Sequence, residues 1–591
     1  MRIIITICLL VSTLSFGQSE EIANDYFIRG EFEKALVSYQ KLLKKDQKKH
    51  NLISRIVEIH QQLEEFDKAE ELLLQRIERT RQPKLFVDLG FNYSLKGDMI
   101  KAEECYDQSF EILKSNANYA YTIAQSYEKY SLLDKAISVY ELAMEINPKF
   151  NFNIQLARIH GEQGNIEKMF TGYINFVQQN RSYVNNAKRS ISGFISEDGQ
   201  NQNNILLRKT LLKKIQTEPD ILWNELLSWL FIQQRDYNKA FSQEKAIYKR
   251  EKESLQRMVD LALITLEEDE VSTSRDILNY IIENSQNIEV VLEAHKHVLD
   301  IETKTIEPRE FNKIDEAYNA LLDEFGRFNQ TLDLQIAYAH FLAFYRNDTQ
   351  KATSLLKNSL DLRLSKLEEG KIKLELGDIL AFQEKFNEAL IYYTQVQRNI
   401  KNSTLAQEAR FKVAKTSYYK GDFDWAESQL KILKSSTSQL IANDALDLKL
   451  LISDNKFEDS LQTALRKYAK ADLLSFQNRI EEAISKLSEV LQEHKGETIE
   501  DQALFMQAKL FESKKEYELA ASNYQKIIAN YRDDILADDA LFYLAELYNN
   551  QLQLPEKAKP LYEQIIFDHQ DSIYFVEARK SFRTLRGDAI N

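Results

Sequence analysis

The sequence predicts an all-α protein in which pairs of antiparallel helices repeat along the chain and stack into a superhelical solenoid. The first observation is a recurring phrase, since "GEFEKALVSYQKLL" at 30–43 returns as "KGDFDWAESQLKIL" at 420–433 and "KKEYELAASNYQKII" at 514–528. The second is composition, because 15 Gly and 6 Pro in 591 residues leave few breakers for a turn-rich β-fold. The third is an aromatic share of 11%, which requires a packed interior.

Residues 1–17 differ from the rest of the chain. Arg2 precedes an apolar run from Ile3 to Val11, and small residues follow it up to Gly17. This is the pattern of a secretory signal peptide, and it predicts cleavage after Gly17. The run is shorter than the roughly 20 residues that span a bilayer. Cys8 follows Ile-Thr-Ile instead of a small residue, so we expect no lipid attachment.

Export would leave Cys105 as the one thiol, so no internal disulfide could form. Because Cys105 lies within a repeat helix, we expect it to be buried and inert. Removal of Arg2 would change the formal charge from −14 to −15. This acidic balance argues against nucleic acid or anionic lipid as a partner.

Residues 18–179 are predicted to form an N-terminal array. One alanine marks each copy of the phrase, with spacings of 34, 33 and 34, at Ala35, Ala69, Ala102 and Ala136. Twelve positions before each marker lies a small residue in three of the four copies: Ala23, Val57, Gly90 and Ala124. Small side chains at both positions allow the two helix axes to approach to about 8–10 Å.

The pattern weakens in the middle of the chain. Residues 180–220 are predicted to be an irregular basic linker, because "SGFISEDGQNQNN" is typical of a loop and basic residues flank it. Residues 221–330 are predicted to hold degenerate helical repeats, of which Ala240 and Ser274 mark two. The segments without a repeat pattern are no longer than about forty residues, which is too short for a separate catalytic domain.

Residues 331–591 are predicted to form a C-terminal array with longer loops between its units. Its markers are spaced by 37 and 37 at Ala352, Ala389 and Ala426, and by 37 and 38 at Ala483, Ala520 and Ala558. The last segment, at 574–585, mixes charges with apolar residues and suits a terminal capping helix. Each unit buries its apolar stripe only against a neighbour, which favours a solenoid.

The unit length, the small residue and the crossing alanine resemble the tetratricopeptide repeat family over most of the chain after residue 17. Aromatic residues after the small residue and after the marker also agree, as in Tyr93 and Tyr106. The Trp and Leu-Gly pair of the ideal first helix are mostly missing. The spacing in the C-terminal half is similar to that of periplasmic repeat proteins, such as the accessory lipoprotein of the outer-membrane β-barrel insertase. The resemblance implies a non-catalytic scaffold that binds proteins.

Motifs for catalysis or metal binding are missing from the sequence. It contains no GxGxxG, Walker-type glycine loop, HExxH or CxxC. His295 and His297 are two positions apart, which places them on different faces of a helix. We therefore expect no enzyme activity, no metal and no cofactor.

The resemblance also implies a concave groove lined by the first helix of each unit. Aromatic residues predicted to bind a partner there are Tyr121, Phe411, Phe505 and Phe542, with Tyr418, Tyr419 and Tyr543 extending the stripe. The alternative is that these rings pack between neighbouring first helices. The Lys and Asn clamp of chaperone-binding family members is replaced here by Val87, Phe91, Tyr121 and Gln125.

These observations predict a periplasmic scaffold or adaptor in envelope assembly or secretion, with peripheral association to an outer-membrane complex. The alternative function is an auxiliary factor for cell-wall enzymes, because aromatic residues also stack on the sugars of peptidoglycan. An enzyme ranks third, since it would need a pocket within residues 180–330.

Overall fold

The computed structural model describes residues 20–45, 50–252, 254–433, 438–456 and 461–588. None of these residues lies in a β-strand. The chain forms two compact units, one up to Ile247 and one from Tyr248. The predicted signal peptide at 1–17 lies outside the described residues. Within the described ranges, every helix is too short or too polar to cross a bilayer.

The first unit is a series of helices joined by short turns. Single 3₁₀ turns at Ala117–Tyr119 and Arg181–Tyr183 precede two of the helices. The helices are α1, described over 20–28, then α2 (Phe32–Lys45), α3 (His50–Gln62), α4 (Phe66–Thr80), α5 (Lys84–Lys96), α6 (Met99–Ser115), α7 (Ala120–Lys129), α8 (Leu133–Ile146), α9 (Asn153–Glu162), α10 (Ile166–Gln179), α11 (Val184–Ser192), α12 (Gln202–Thr217), α13 (Ile221–Gln233) and α14 (Tyr237–Arg250), which crosses the unit boundary.

The second unit continues the series. Short turns at Pro308–Glu310 and Asn329–Thr331 are 3₁₀, and Leu547–Gln551 is π-helical. The helices are α15 (Gln256–Glu267), α16 (Val271–Asn284), α17 (Ile288–Thr305), α18 (Phe311–Glu324), α19 (Leu332–Phe344), α20 (Thr349–Ser359), α21 (Lys366–Phe382), α22 (Phe386–Asn399), α23 (Thr404–Lys420), α24 (Phe423–Leu433), α25 (Gln439–Asn455), α26 (Thr463–Phe476), α27 (Ile480–Glu493), α28 (Ile499–Ser513), α29 (Tyr517–Asn530), α30 (Ala537–Glu546), α31 (Pro555–Asp568) and α32 (Phe575–Arg586).

The markers lie where the two helices of a pair cross. All ten marker alanines of the two predicted arrays are fully buried. A side-chain Cβ at Gly90 would lie 2.5 Å from Tyr106, and one at Gly377 would lie 2.7 Å from Tyr393 Cζ. Both tyrosines follow a marker by four positions, so the small residue and the aromatic ring fill one shared space. The predicted helix pairs are confirmed.

The turn inside each pair has a repeated geometry. The residue five positions before the marker has a positive φ, whether it is glycine, as at Gly97 and Gly421, or not: Glu64, Ser131, Arg235, Asp269, Asn347, Glu384, Asn478, Lys515 and Gln553. The next residue caps the second helix in several pairs, since Asp98 and Asp348 accept the N–H of the residue three positions later. A left-handed residue followed by a cap therefore ends one helix and starts the next.

The segment at 180–220 contains α11 and α12 around an irregular loop. The buried Asn204 amide nitrogen donates to the backbone oxygens of Ser196 and Asp198, each at 2.7 Å. Asn203 donates to the oxygen of Phe194 at 2.9 Å. The first turn of α12 therefore supplies donors to the backbone oxygens of Phe194, Ser196 and Asp198 in the loop.

Two described helices of the second unit lie outside the pairs: the terminal α32, which packs on α31, and α25 within the array. Helix α25 packs against α24, while the next helix, α26, packs beside α23 and pairs with α27. This insertion accounts for the 57 positions between markers Ala426 and Ala483. Elsewhere in the unit the first helices contact one another in order, from α17 through α19 and α21 to α23. They form one continuous surface, called here the first-helix face.

Candidate functional site

One part of the first-helix face carries ion-paired charges, and we call it the paired face. It comprises the outward side chains of α21, α23 and α26, with Tyr393 of α22 and Phe344 at the end of α19. Lys412 Nζ is 2.8 Å from Asp378 Oδ2, and Lys415 Nζ is 2.5 Å from Asp472 Oδ2. Tyr393 donates its hydroxyl to Asp378 Oδ1 at 2.6 Å. Asp378 and Asp472 are therefore each paired with a lysine of the same chain.

The pKa of Lys412 reflects this pairing. Burial lowers it, but the charge of Asp378 and its hydrogen bond outweigh burial, so the pKa of Lys412 lies above its ordinary value. The hydroxyl of the neighbouring Tyr419 is shifted upward, since burial and the charge of Asp472 both raise its pKa. At neutral pH the lysine is charged and the tyrosine is neutral.

Aromatic rings at the ends of the first helices pack on one another across the paired face. The ring centroid of Phe344 is 4.9 Å from that of Phe382 and 5.6 Å from that of Phe476. Tyr419 stacks on Phe476 at 6.0 Å. The side chain of Gln477 donates to the backbone oxygen of Phe382 at 2.8 Å and so ties α26 to α21. The face is largely filled by its own side chains.

A second part of the first-helix face follows on α28 and α30, and we call it the acidic face. Its rings are Phe505, Phe542, Tyr543 and Tyr574, all half-buried. Phe542 stacks on Tyr574 with 4.3 Å between centroids, and Phe505 meets Tyr543 edge-on at 5.8 Å. The ammonium nitrogen of Lys509 lies 3.0 Å above the centre of the Tyr543 ring. Aromatic area and a bound cation therefore occur together.

The carboxylates of the acidic face are Asp447 on α25 and Asp538 and Asp539 at the start of α30, together with the buried Asp501 on α28. In the described part of the chain, none of the four has a basic group within ion-pair distance. Burial, with the charge of Asp534, raises the pKa of Asp501 to about 6. Burial raises the pKa of Asp539, although the hydroxyl of Tyr574, which donates to it at 2.8 Å, and the charge of Lys509 oppose this shift. The charges of Asp538 and Asp447 add to the effect of burial, and the net shift is upward.

The structure places most of the predicted aromatic residues on the first-helix face, with one correction. Tyr418 is fully buried in the core beneath the paired face, because it lies one helical position from the outward Tyr419. It is therefore unavailable to a partner. Phe411 is half-buried against the same core. Tyr121 in the first unit is 47% exposed and accepts a hydrogen bond from Gln125 at 2.8 Å.

Several residues of the two faces were not predicted. Phe382 and Phe476 precede their markers by seven positions, as Tyr419 does, and this spacing is readable in the sequence. Asp378, Lys415, Asp472 and Lys509 likewise precede their markers by eleven. Asp447 carries no such signal, because α25 lies outside the repeat pattern.

The first unit also contains aromatic and charged residues that contact one another. Phe91 stacks on Tyr130 with 3.9 Å between centroids, and Tyr130 donates its hydroxyl to Asp88 at 2.9 Å. A polar depression of about 620 Å³ lies between α1 and α3, with Glu20, Arg55 and Glu58 in its lining. Arg55 pairs with Glu58 at 2.8 Å, so this depression contains a cation of the chain beside its carboxylates.

The thiol and histidines singled out from the sequence have ordinary surroundings. Cys105 is buried, and burial raises the pKa of its thiol to about 11, as expected for an inert side chain. Burial lowers the pKa of His297 to about 4. Among the described residues, no group of three or more His, Cys, Asp or Glu side chains is arranged to hold a metal.

Stacked helix pairs with one continuous first-helix face define an α-helical repeat protein. Tetratricopeptide repeat models match residues 117–150, which cover α7 and α8, and residues 468–535, which cover most of α26 to α29. Tetratricopeptide repeats are therefore present in both units. Because such repeats present surfaces for other proteins, the chain is a protein–protein interaction scaffold.

Comparison with known proteins finds distant likenesses. The BBSome complex member BBS4 of Bos taurus is 26% identical over 129 residues, which are 22% of this chain and 25% of that protein. The chain thus matches about a quarter of the length of this relative. Two solved structures align with nearly the whole chain. Naa15/Naa10 bound to HypK-THB has a TM-score of 0.26 and 12% identity, covering 97% of this chain and 94% of that chain. The crystal structure of the APC/C hetero-tetramer Cut9-Hcn1 has a TM-score of 0.22 and 14% identity, and the alignment covers 95% of each chain.

Proposed function

We propose that the chain is a non-catalytic scaffold that binds segments of partner proteins on the first-helix face of its second unit. The observation that carries the proposal is the acidic face, where half-buried rings and carboxylates without basic partners lie side by side. Aromatic side chains dominate protein-binding surfaces because they bury much area at low cost in conformational entropy. The paired face lies on the preceding first helices of the same unit, and its charged and aromatic groups already contact each other.

The proposed location is the periplasm, and the proposed process is envelope assembly or secretion. What supports the location is the pattern of residues 1–17, with Arg2, the apolar run and Gly17. Fractionation of cells that carry a C-terminally tagged chain tests it. We expect the chain in the periplasmic fraction with Gln18 as its first residue. A cytoplasmic chain that retains Met1 would contradict the proposal.

The binding function is tested by crosslinking in cells followed by co-purification on the C-terminal tag. The variant combines Phe505→Ala with Tyr543→Ala. Its matched control combines Leu519→Ala with Phe567→Ala, which removes two exposed apolar side chains from the second helices α29 and α31. We expect the intact chain and the control to capture the same defined proteins and the variant to lose them. Equal capture by all three chains would place the contact elsewhere.

A second candidate function is an auxiliary role for cell-wall enzymes. The stacked pair of Phe542 and Tyr574 favours it, because flat aromatic surfaces also accept sugar rings. Pelleting of the purified chain with peptidoglycan tests this function. Co-sedimentation that Phe542→Ala abolishes would support it, and a chain that stays in the supernatant would exclude it.

A further inference from the structure

The two faces differ in how their charges are compensated. On the paired face, Asp378 and Asp472 each contact a lysine. On the acidic face, Asp447 and Asp539 have no such partner among the described residues. Asp447 is exposed, and the half-buried Asp539 accepts the Tyr574 hydroxyl at 2.8 Å, with the charge of Lys509 acting on it from beyond ion-pair distance. These carboxylates outnumber the cations near them, so a cation from outside the chain would be favourable here.

The acidic face already holds one cation of the chain itself. The Lys509 ammonium lies on the Tyr543 ring, 3.0 Å from its centre, and its nearest carboxylate oxygen is Glu512 Oε1 at 3.7 Å. The separation from Glu512 is too long for a hydrogen bond. The ring therefore supplies much of the surroundings of this ammonium, and the arrangement is an internal example of cation binding on this surface.

The charge pattern distinguishes among possible occupants. A second copy of this chain, with its net charge of −14, would bring like charge to a face that is already negative. A purely apolar segment would cover the rings, but it would remove water from Asp447 and Asp539 without supplying a cation to either carboxylate. A segment with lysine or arginine side chains satisfies both the rings and the carboxylates.

We propose that the acidic face binds a basic segment of a partner protein, with one lysine or arginine side chain on the aromatic rings and others beside Asp447 and Asp539. This inference rests on the proposed scaffold function and names the chemistry of the partner. Asp447 projects from α25, which contacts α28, so the inserted helix supplies one wall of the surface. The binding is electrostatic in part, and it weakens as salt is added.

Fluorescence anisotropy with labelled peptides on the purified full chain tests the proposal. The probes are Ac-(Ala-Lys)₄-amide, Ac-(Ala-Ser)₄-amide and Ac-(Ala-Glu)₄-amide. We expect the lysine peptide to bind more tightly than the serine peptide by about ten-fold, and the glutamate peptide not to bind. Equal binding of the lysine and serine peptides, or no binding of the lysine peptide, would overturn the proposal.

A charge-matched pair of variants separates this face from the overall acidity of the chain. Asp447→Asn with Asp539→Asn removes two charges from the acidic face. Glu518→Gln with Glu556→Gln removes two charges from exposed positions on α29 and α31. We expect the first variant to weaken lysine-peptide binding about five-fold or more and the second to change it less than about two-fold. If both double variants weakened lysine-peptide binding equally, binding would depend on net charge, and the proposed site on the acidic face would be wrong.

Lys509→Met gives a third test, in which lysine-peptide binding is expected to become stronger. If the internal ammonium occupies the place of a partner's cation, its removal vacates the Tyr543 ring and strengthens lysine-peptide binding about three-fold or more. Weaker binding would contradict this arrangement, because it would show that Lys509 supports the surface. Loss of crosslinked partners in Phe505→Ala with Tyr543→Ala, together with unchanged lysine-peptide binding, would keep the scaffold function and reject the basic partner.

Discussion

The paired face and the acidic face lie on successive first helices of one unit, but their charged residues have different surroundings. On α21, α23 and α26, lysines neutralise Asp378 and Asp472, and rings from several helices contact each other. On α28 and α30, rings and carboxylates stand beside one another with Lys509 as an internal cation. Aromatic residues alone therefore do not identify a binding surface in such a stack. The presence or absence of charge partners distinguishes the two faces.

The largest expected effect tests the structural role of the core beneath the paired face. Tyr418→Ala should lower the free energy of unfolding by about 4 kcal/mol, because it leaves a cavity at a fully buried ring. Phe542→Ala on the acidic face should cost about 1–2 kcal/mol, since that ring is half-buried and loses mainly its stack with Tyr574. Urea unfolding of the full chain, followed by circular dichroism, measures both. Equal losses in the free energy of unfolding would show that the ring of Phe542 contributes to the core as strongly as that of Tyr418.

The next effect concerns a charge pair. Lys412→Met should destabilise the second unit by about 2 kcal/mol, because it leaves Asp378 partly buried with Tyr393 as its remaining donor. The double variant Lys412→Met with Asp378→Leu should recover most of that loss, as expected when both charges are removed together. The same urea experiment measures this. If the single variant matched the intact chain, the paired face would not depend on its ion pairs.

An effect of similar size and opposite sign is expected at Asp501. The pKa of its carboxyl is about 6 in the folded chain, above the ordinary value of 3.8. The folded state therefore holds the proton more tightly, so stability falls as pH rises from about 4 to about 6. Asp501→Asn should raise the free energy of unfolding at pH 7.5 by about 2 kcal/mol and leave it unchanged near pH 3.5. Equal shifts at both pH values would contradict this assignment.

The repeat pattern in the sequence predicted the parts of the fold that are local and periodic. Ala389 and Gly377 are buried at a helix crossing because a close approach requires small residues at both positions. The same reasoning extends to the degenerate units, since Ala240 and Ser274 are also buried at such positions. A glycine was not needed at the turn, because Arg235 adopts the positive φ there.

The candidate site was less predictable, for two physical reasons. Tyr418 and Tyr419 are adjacent, and the 100° rotation per helical residue places one ring in the core and the other on the surface. Asp447 belongs to α25, whose insertion follows no repeat spacing, so its approach to α28 depends on tertiary packing. Charge partners such as Lys415 and Asp472 are 57 positions apart, and no local rule pairs them.

The smallest expected effect tests an exposed ion pair at the edge of the paired face. Lys470 Nζ is 2.8 Å from Glu384 Oε1, but both side chains remain about two-fifths exposed. Water and salt screen such pairs, so Lys470→Met should change the free energy of unfolding by less than about 0.5 kcal/mol. Its comparison is Lys412→Met, which makes the same substitution at a more buried pair. If Lys470→Met cost as much as Lys412→Met, the contact between α26 and the turn that follows α21 would contribute to stability as strongly as the buried pairs do. The paired face would then include Lys470 and Glu384, and α28 and α30 would remain as the surface available to a partner.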